Sequence, residues 1–193
     1  MKKTLFNLIL FAICAMYGVS AHAQRVALKT NAIDWLMLSP NLSLETRLSA
    51  HMTLDVGFSA NPFPVSIAGY RWNNLRFQPE LRYYFARPMS RHFVGLAALG
   101  ASYRLNMKTR FLHGIMAGVG ATYGYAFVLN KNWNMEAEIG VGIAYARAKN
   151  FSDIDNPPAQ PNYSRVLPVP MRFALSFSYI FACVSTKNCG RFI

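Results

Sequence analysis

Met135-Glu136-Ala137-Glu138-Ile139-Gly140-Val141-Gly142-Ile143-Ala144-Tyr145 decides the fold class. Its odd positions are apolar or aromatic, and its even positions are Glu, Glu, Gly, Gly and Ala. A side-chain period of two belongs to a β-strand with two different faces. One face here is greasy. The other is small or charged.

The same alternation recurs along the chain. Met171, Phe173, Leu175, Phe177, Tyr179 and Phe181 alternate with Arg172, Ala174, Ser176 and Ser178. Leu75, Phe77, Leu81, Tyr83 and Phe85 alternate with Arg76, Gln78, Glu80, Arg82 and Tyr84. Met52, Leu54, Val56 and Phe58 alternate with Thr53, Asp55, Gly57 and Ser59; Leu42, Leu44, Thr46 and Leu48 alternate with Ser43, Glu45 and Arg47. Val26 to Ile33 is a shorter strand with Lys29 and Asn31 in the polar phase. Ile115 to Leu129 sets Gly118, Gly120, Thr122 and Gly124 against Val119, Tyr123, Tyr125 and Phe127. His92 to Tyr103 is apolar on both phases, so its faces stay unassigned.

These eight segments are joined by connections of alternating length. Ser49 to His51, Arg87 to Arg91 and Asn130 to Asn132 are short; Asp34 to Pro40, Ala60 to Asn74, Arg104 to Gly114 and Arg147 to Arg165 are long. Short turns on one side and long loops on the other are the pattern of an outer-membrane barrel. The sequence therefore predicts an all-β, eight-stranded antiparallel up-and-down transmembrane β-barrel over residues 24–181. Both termini and the short turns belong on the periplasmic side.

The acidic residues assign the faces. Asp34, Glu45, Asp55, Glu80, Glu136, Glu138, Asp153 and Asp155 are the eight in the chain. The five inside strands all fall on the polar phase, and a carboxylate turned to lipid is expensive. An interior polar network follows: Lys29, Glu45, Arg47, Asp55, Gln78, Glu80, Arg82, Glu136, Glu138 and Arg172. The Gly, Ala and Ser of that phase suit the crowded lumen of eight strands. Aromatics bracket the strands as interfacial girdles would: Phe58 and Phe63, Tyr83 and Phe85, Trp133 and Tyr145, Tyr179 and Phe181. The competing architecture is a soluble β-sandwich or lipocalin-like barrel, which would bury the apolar phase and expose the polar one.

Residues 1–23 read as a secretory signal peptide. Lys2 and Lys3 precede an apolar run from Leu5 to Val19, and Ala21-His22-Ala23 is a small-x-small cleavage site. An uncleaved anchor fits less well, because the run is shorter than the ~20 residues a spanning helix needs. After cleavage the chain holds 18 basic and 8 acidic residues, a net charge of +10. Export argues against nucleic acid as the partner and for lipid phosphates or acidic glycans. A short periplasmic tail, 182–193, carries Cys183 and Cys189. They are the only cysteines left once Cys14 is removed, and the oxidising periplasm favours a disulfide between them.

Gln78-Pro79-Glu80-Leu81-Arg82-Tyr83-Tyr84-Phe85 resembles a motif of an uncharacterised outer-membrane barrel family of Bacteroidota (domain of unknown function 3575). Lys29-Thr30-Asn31 and His92-Phe93-Val94-Gly95 are similar to other stretches of that family. The resemblance runs from Val26 to Phe181. It implies a β-barrel at the outer membrane with no known activity. Association of some members with fimbrial gene clusters implies a surface or fimbrial protein partner.

No motif for catalysis, cofactor or metal stands out. His51 and His92 flank short turns, His113 ends a long connection, and no His-x-x-x-His spacing occurs. A hydrolytic site at the outer mouth would have to combine His113 with Asp34, Asp153 or Asp155. The long connections are basic: Arg71, Arg104, Lys108, Arg110, Arg147, Lys149 and Arg165 lie in or beside them, suited to anionic lipid such as lipopolysaccharide or to an anionic ligand. Asn156-Pro157-Pro158-Ala159-Gln160-Pro161-Asn162 is a stiff loop tip. The functional expectation is a structural or interaction barrel (surface contact, anchoring or partner assembly). An outer-membrane enzyme acting on lipid or peptide, and a narrow channel, are the alternatives.

Overall fold

The computed structural model describes residues 25–61, 65–67, 70–107, 110–152, 158 and 160–181. Residues 1–23, expected to be a signal peptide, the tail with Cys183 and Cys189, Phe63, Lys108, Asp153, Asp155, and Asn156, Pro157 and Ala159 of the proline-rich stretch lie outside the described residues.

The strands are β1 (Val26–Asn31), β2 (Asn41–Arg47), β3 (Met52–Ala60), β4 (Val65–Ile67), β5 (Tyr70–Tyr84), β6 (Arg91–Met107), β7 (Arg110–Val128), β8 (Trp133–Phe151) and β9 (Tyr163–Phe181). A helix, α1 (Ala32–Leu36), follows β1. All but β4 form one ring in up-and-down order, closed by antiparallel pairing of β1 with β9 and of β3 with β5. The three-residue β4 is an extra hairpin arm on the far end of β5. The eight-stranded antiparallel barrel expected from the period-two pattern is the fold observed.

The two phases separate as the acids indicated. Glu45, Asp55, Glu80, Arg82 and Glu136 are buried, while Val141, Leu96, Phe173 and Ile115 on the other phase are 69, 66, 65 and 63 % exposed. A sandwich or lipocalin-like barrel puts its apolar phase inside; this ring closes the other way round. On β6, where both phases are apolar, Phe93, Ala97 and Leu99 point in and Val94 and Leu96 point out.

Three expectations need correction. Met171 belongs with the interior, at 2 % exposure. The β8–β9 register slips between Gly140 and Val141, with Gly140 opposite Arg172 and Val141 opposite Pro170. The extra residue reverses the phase, so Met171 and Arg172 both face the lumen. The connections Ala60 to Asn74, Arg104 to Gly114 and Arg147 to Arg165 are largely strand, because the ladders of β5 to β9 continue past the end of the alternation. Towards that end the inward positions of β6, β7 and β9 are partly exposed as well, so nothing selects an apolar phase there, yet the backbone still pairs with its neighbour. Asp34 to Pro40 begins inside a helix: Asn31 Oδ1 accepts from Ile33 N at 3.1 Å as N-cap and Asp34 sits in the first turn.

The barrel wall is uneven. β1 has 6 residues and β2 has 7, whereas β7, β8 and β9 have 19 each. At ~3.3 Å per residue the tall side is roughly three times the short side. α1 stands on the short side; Trp35 and Leu36 of the helix and Met37 and Leu38 just after it are exposed at the long-loop end.

Candidate functional site

The lumen is filled in layers. At the short-turn end the β5–β6 turn tucks in, with Met89 and Ser90 buried and Asn134 Nδ2 donating to Met89 O at 2.6 Å. Above it Tyr84, Phe93 and Ala126 form an apolar layer. On the other side of the charged middle Ala97, Leu99 and Met171 form a second apolar cluster, backed by Ala101, Met116 and Val169.

Between these layers lies the ion network. Arg82 is fully buried; its Nη2 reaches Glu138 at 2.7 Å, Glu80 at 3.1 Å and Asp55 at 3.2 Å, and its Nη1 reaches Glu136 at 3.0 Å and Glu45 at 3.4 Å. The guanidinium lies 4.6 Å from the centroid of the Phe93 ring, a cation–π contact. Lys29 Nζ pairs with Glu45, with Glu136 at 2.7 Å and with Asp55 at 3.2 Å. Arg172 Nε lies 3.3 Å from Glu138. Tyr84 Oη donates to Glu45 at 2.9 Å, Thr53 Oγ1 donates to Glu45, and Thr122 Oγ1 donates to Glu80.

Register explains why cations must cross the lumen. Glu45 sits opposite Asp55, and Asp55 opposite Glu80, so three carboxylates lie abreast on β2, β3 and β5. Like charges directly opposite repel. Lys29 from β1, Arg82 from β5 and Arg172 from β9 insert among them and link them to Glu136 and Glu138 on β8. Small residues make the room. A Cβ on Gly95 would collide with Glu80 and Thr122, and one on Gly124 with Phe93.

Of the ten polar residues expected inside, Lys29, Glu45, Asp55, Gln78, Glu80, Arg82, Glu136, Glu138 and Arg172 line the lumen; Gln78 Nε2 donates to Met171 O at 2.5 Å. Arg47 does not join them. It ends β2 at the short turn, and its Nε donates to Ser49 O at 2.8 Å. Tyr84 and Phe93 were missed as lumen residues with a role; Tyr84 had only its place on the polar phase as a signal.

The long-loop end holds two recesses. The first lies above the network and is lined by Asn31, Asp34, Ser43, Arg76, Gln78 and Arg172 among others; Asp34 on α1 pairs there with Arg76 on β5. The second is an open recess lined by Arg104, His113, Ile115, Arg147, Lys149 and Pro161, with Ser102, Tyr103 and Gly114. Of the seven basic residues expected at this end, Arg104, Arg147 and Lys149 converge in the second recess. Arg71 is exposed on β5, opposite Asn106; Arg165 is exposed on β9, opposite Ala146; and Arg110 opens β7 opposite Met107. His113 and Asp34 line different recesses. His51 and His92 stack on Tyr83 and Tyr123 at the short-turn end.

These features define a class: a small antiparallel β-barrel with a charged, filled interior, an apolar exterior and a basic rim. The chain belongs to the family described as a protein of unknown function (DUF3575), whose model matches residues 8–181. No curated protein matches the chain.

Proposed function

We propose that the protein is an exported outer-membrane barrel with a closed lumen and a structural or interaction role: surface contact, anchoring or assembly of a partner. The reversal of polarity carries this reading. A ring of exposed Leu, Ile, Val and Phe side chains around a core of ion pairs is unstable as a water-facing surface and suited to hydrocarbon. Nine to eleven tilted residues cross a bilayer, and β5 to β9 exceed that length. Tyr83 with Phe85 and His51, Trp133 with Tyr179, and Tyr179 with Phe181 gather at the short-turn end, where an interfacial girdle belongs. The surrounding partner is then outer-membrane lipid, including lipopolysaccharide, and the protein partner would be a surface or fimbrial component.

The layered lumen supports this reading over a channel. Its test is cell fractionation with heat-modifiable gel migration, followed by planar-bilayer recording. The reading expects a folded, fast-migrating band in the outer-membrane fraction, mature from Gln24, and no conductance steps. A soluble periplasmic species would sink the barrel-in-membrane reading, and ohmic steps would replace the closed lumen with a channel.

A further inference from the structure

We propose that the outer face of β6, β7 and β8 carries a binding site for the phosphate groups of a membrane lipid, built from Arg104, His113, Arg147 and Lys149. The inference rests on the membrane placement proposed above and adds a defined site to it.

Register sets the four residues side by side. Arg104 pairs with His113, and His113 with Lys149, so the three stand abreast on adjacent strands. Strands lie ~4.8 Å apart, and the row spans roughly 10 Å, the width of a phosphorylated headgroup. Arg147 is two residues along β8 from Lys149, opposite Ile115. Together they line one open recess, with Pro161 of the β8–β9 connection beside them.

Three observations identify the ligand. First, the row is a concentration of positive charge: Arg104 and Lys149 flank His113 on the two neighbouring strands, Arg147 stands two residues along β8 from Lys149, and an anion offsets their mutual repulsion. Among the described residues of β6 to β9 beyond the belt there is no carboxylate. Second, two arginines offer planar, bidentate donors that match phosphate oxygens. Third, the site borders grease. On the same phase, directly towards the short-turn end, lie Ile115, Val119, Ile143 and Tyr145, all about half or more exposed. An amphiphile with phosphate at the row and acyl chains along these residues satisfies both parts. Free phosphate satisfies only one.

The test uses the full mature protein, purified from membranes in dodecyl maltoside. Titration with bis-phosphorylated lipid A is followed by native mass spectrometry, with inorganic phosphate and dephosphorylated lipid A as parallel arms. Saturable binding of the phosphorylated lipid is expected, at least tenfold weaker in Arg104→Gln/Lys149→Gln and unchanged in Lys131→Gln at the opposite end. Equal binding of dephosphorylated lipid, or inorganic phosphate competing at matched concentration, overturns the lipid-phosphate assignment. Binding only after Asp153→Asn/Asp155→Asn means that the chain's own loop fills the row, and overturns it too. Absence of binding by protein that migrates as folded and fractionates with the outer membrane refutes this site and leaves the barrel reading intact. Failure to fractionate with membranes counts against the barrel reading itself.

Discussion

Arg82 Nη2 and Glu138 Oε2 lie 2.7 Å apart across the barrel, on β5 and β8, which share no edge. The backbone ladder brings only neighbouring strands together. This contact instead ties opposite walls, with the side chain of Arg82 as a strut through the lumen.

Removing the strut leaves Glu45, Asp55, Glu80, Glu136 and Glu138 with Lys29 and Arg172 as the remaining cations among the described residues. Breaking one buried pair costs about 3–5 kcal/mol, since the partner keeps its desolvated charge. Leu81→Ala on the exposed outer phase strands no charge and leaves no enclosed cavity. Arg82→Ala is therefore expected to lower the temperature at which the folded gel band converts to the unfolded one by more than Leu81→Ala does. The reverse order would mean that the outer face, and not the ion network, holds the barrel together.

Two glycines on β6 differ in a way that a single methyl can probe. At Gly95 an added Cβ meets the Glu80 carboxylate and Thr122 Oγ1; at Gly100 the nearest neighbour is Phe77 O at 4.0 Å. Overpacking a closed core costs typically about 1–3 kcal/mol. Gly95→Ala should depress the band-conversion temperature, with Gly100→Ala close to wild type. Equal melting of the two variants would contradict the packing of Glu80 against Gly95.

Cys183 and Cys189 lie outside the described residues, and the expectation for them rests on compartment and spacing alone. Protein extracted from the envelope without reductant should resist maleimide labelling and take up two labels after reduction. Two labels before reduction would leave the tail with free thiols.

Much of this was legible in the sequence, for a simple reason. A barrel wall has one wet or crowded face and one greasy face, and period-two alternation records that difference directly. Met135 to Tyr145 and Leu75 to Phe85 report their own orientation, and the carboxylates inside strands label the interior. Where the alternation loses contrast the faces stay unassigned. β6 puts Phe93, Ala97 and Leu99 inside, so both of its phases look greasy. Met171 was assigned outward because a one-residue bulge inverts the phase without leaving a mark in the local pattern.

By itself the sequence determined the class of the fold, the strand count and nearly all of the buried charges, since these follow from local periodicity and from the cost of exposing a carboxylate to an apolar surface. The tertiary structure alone decided who pairs with whom. Arg82 meets Glu138, 56 residues away, and Arg104, His113 and Lys149 align across three strands. Both arrangements depend on inter-strand register and barrel closure, which are set by hydrogen bonds between segments far apart in the chain and leave no trace in any one of them.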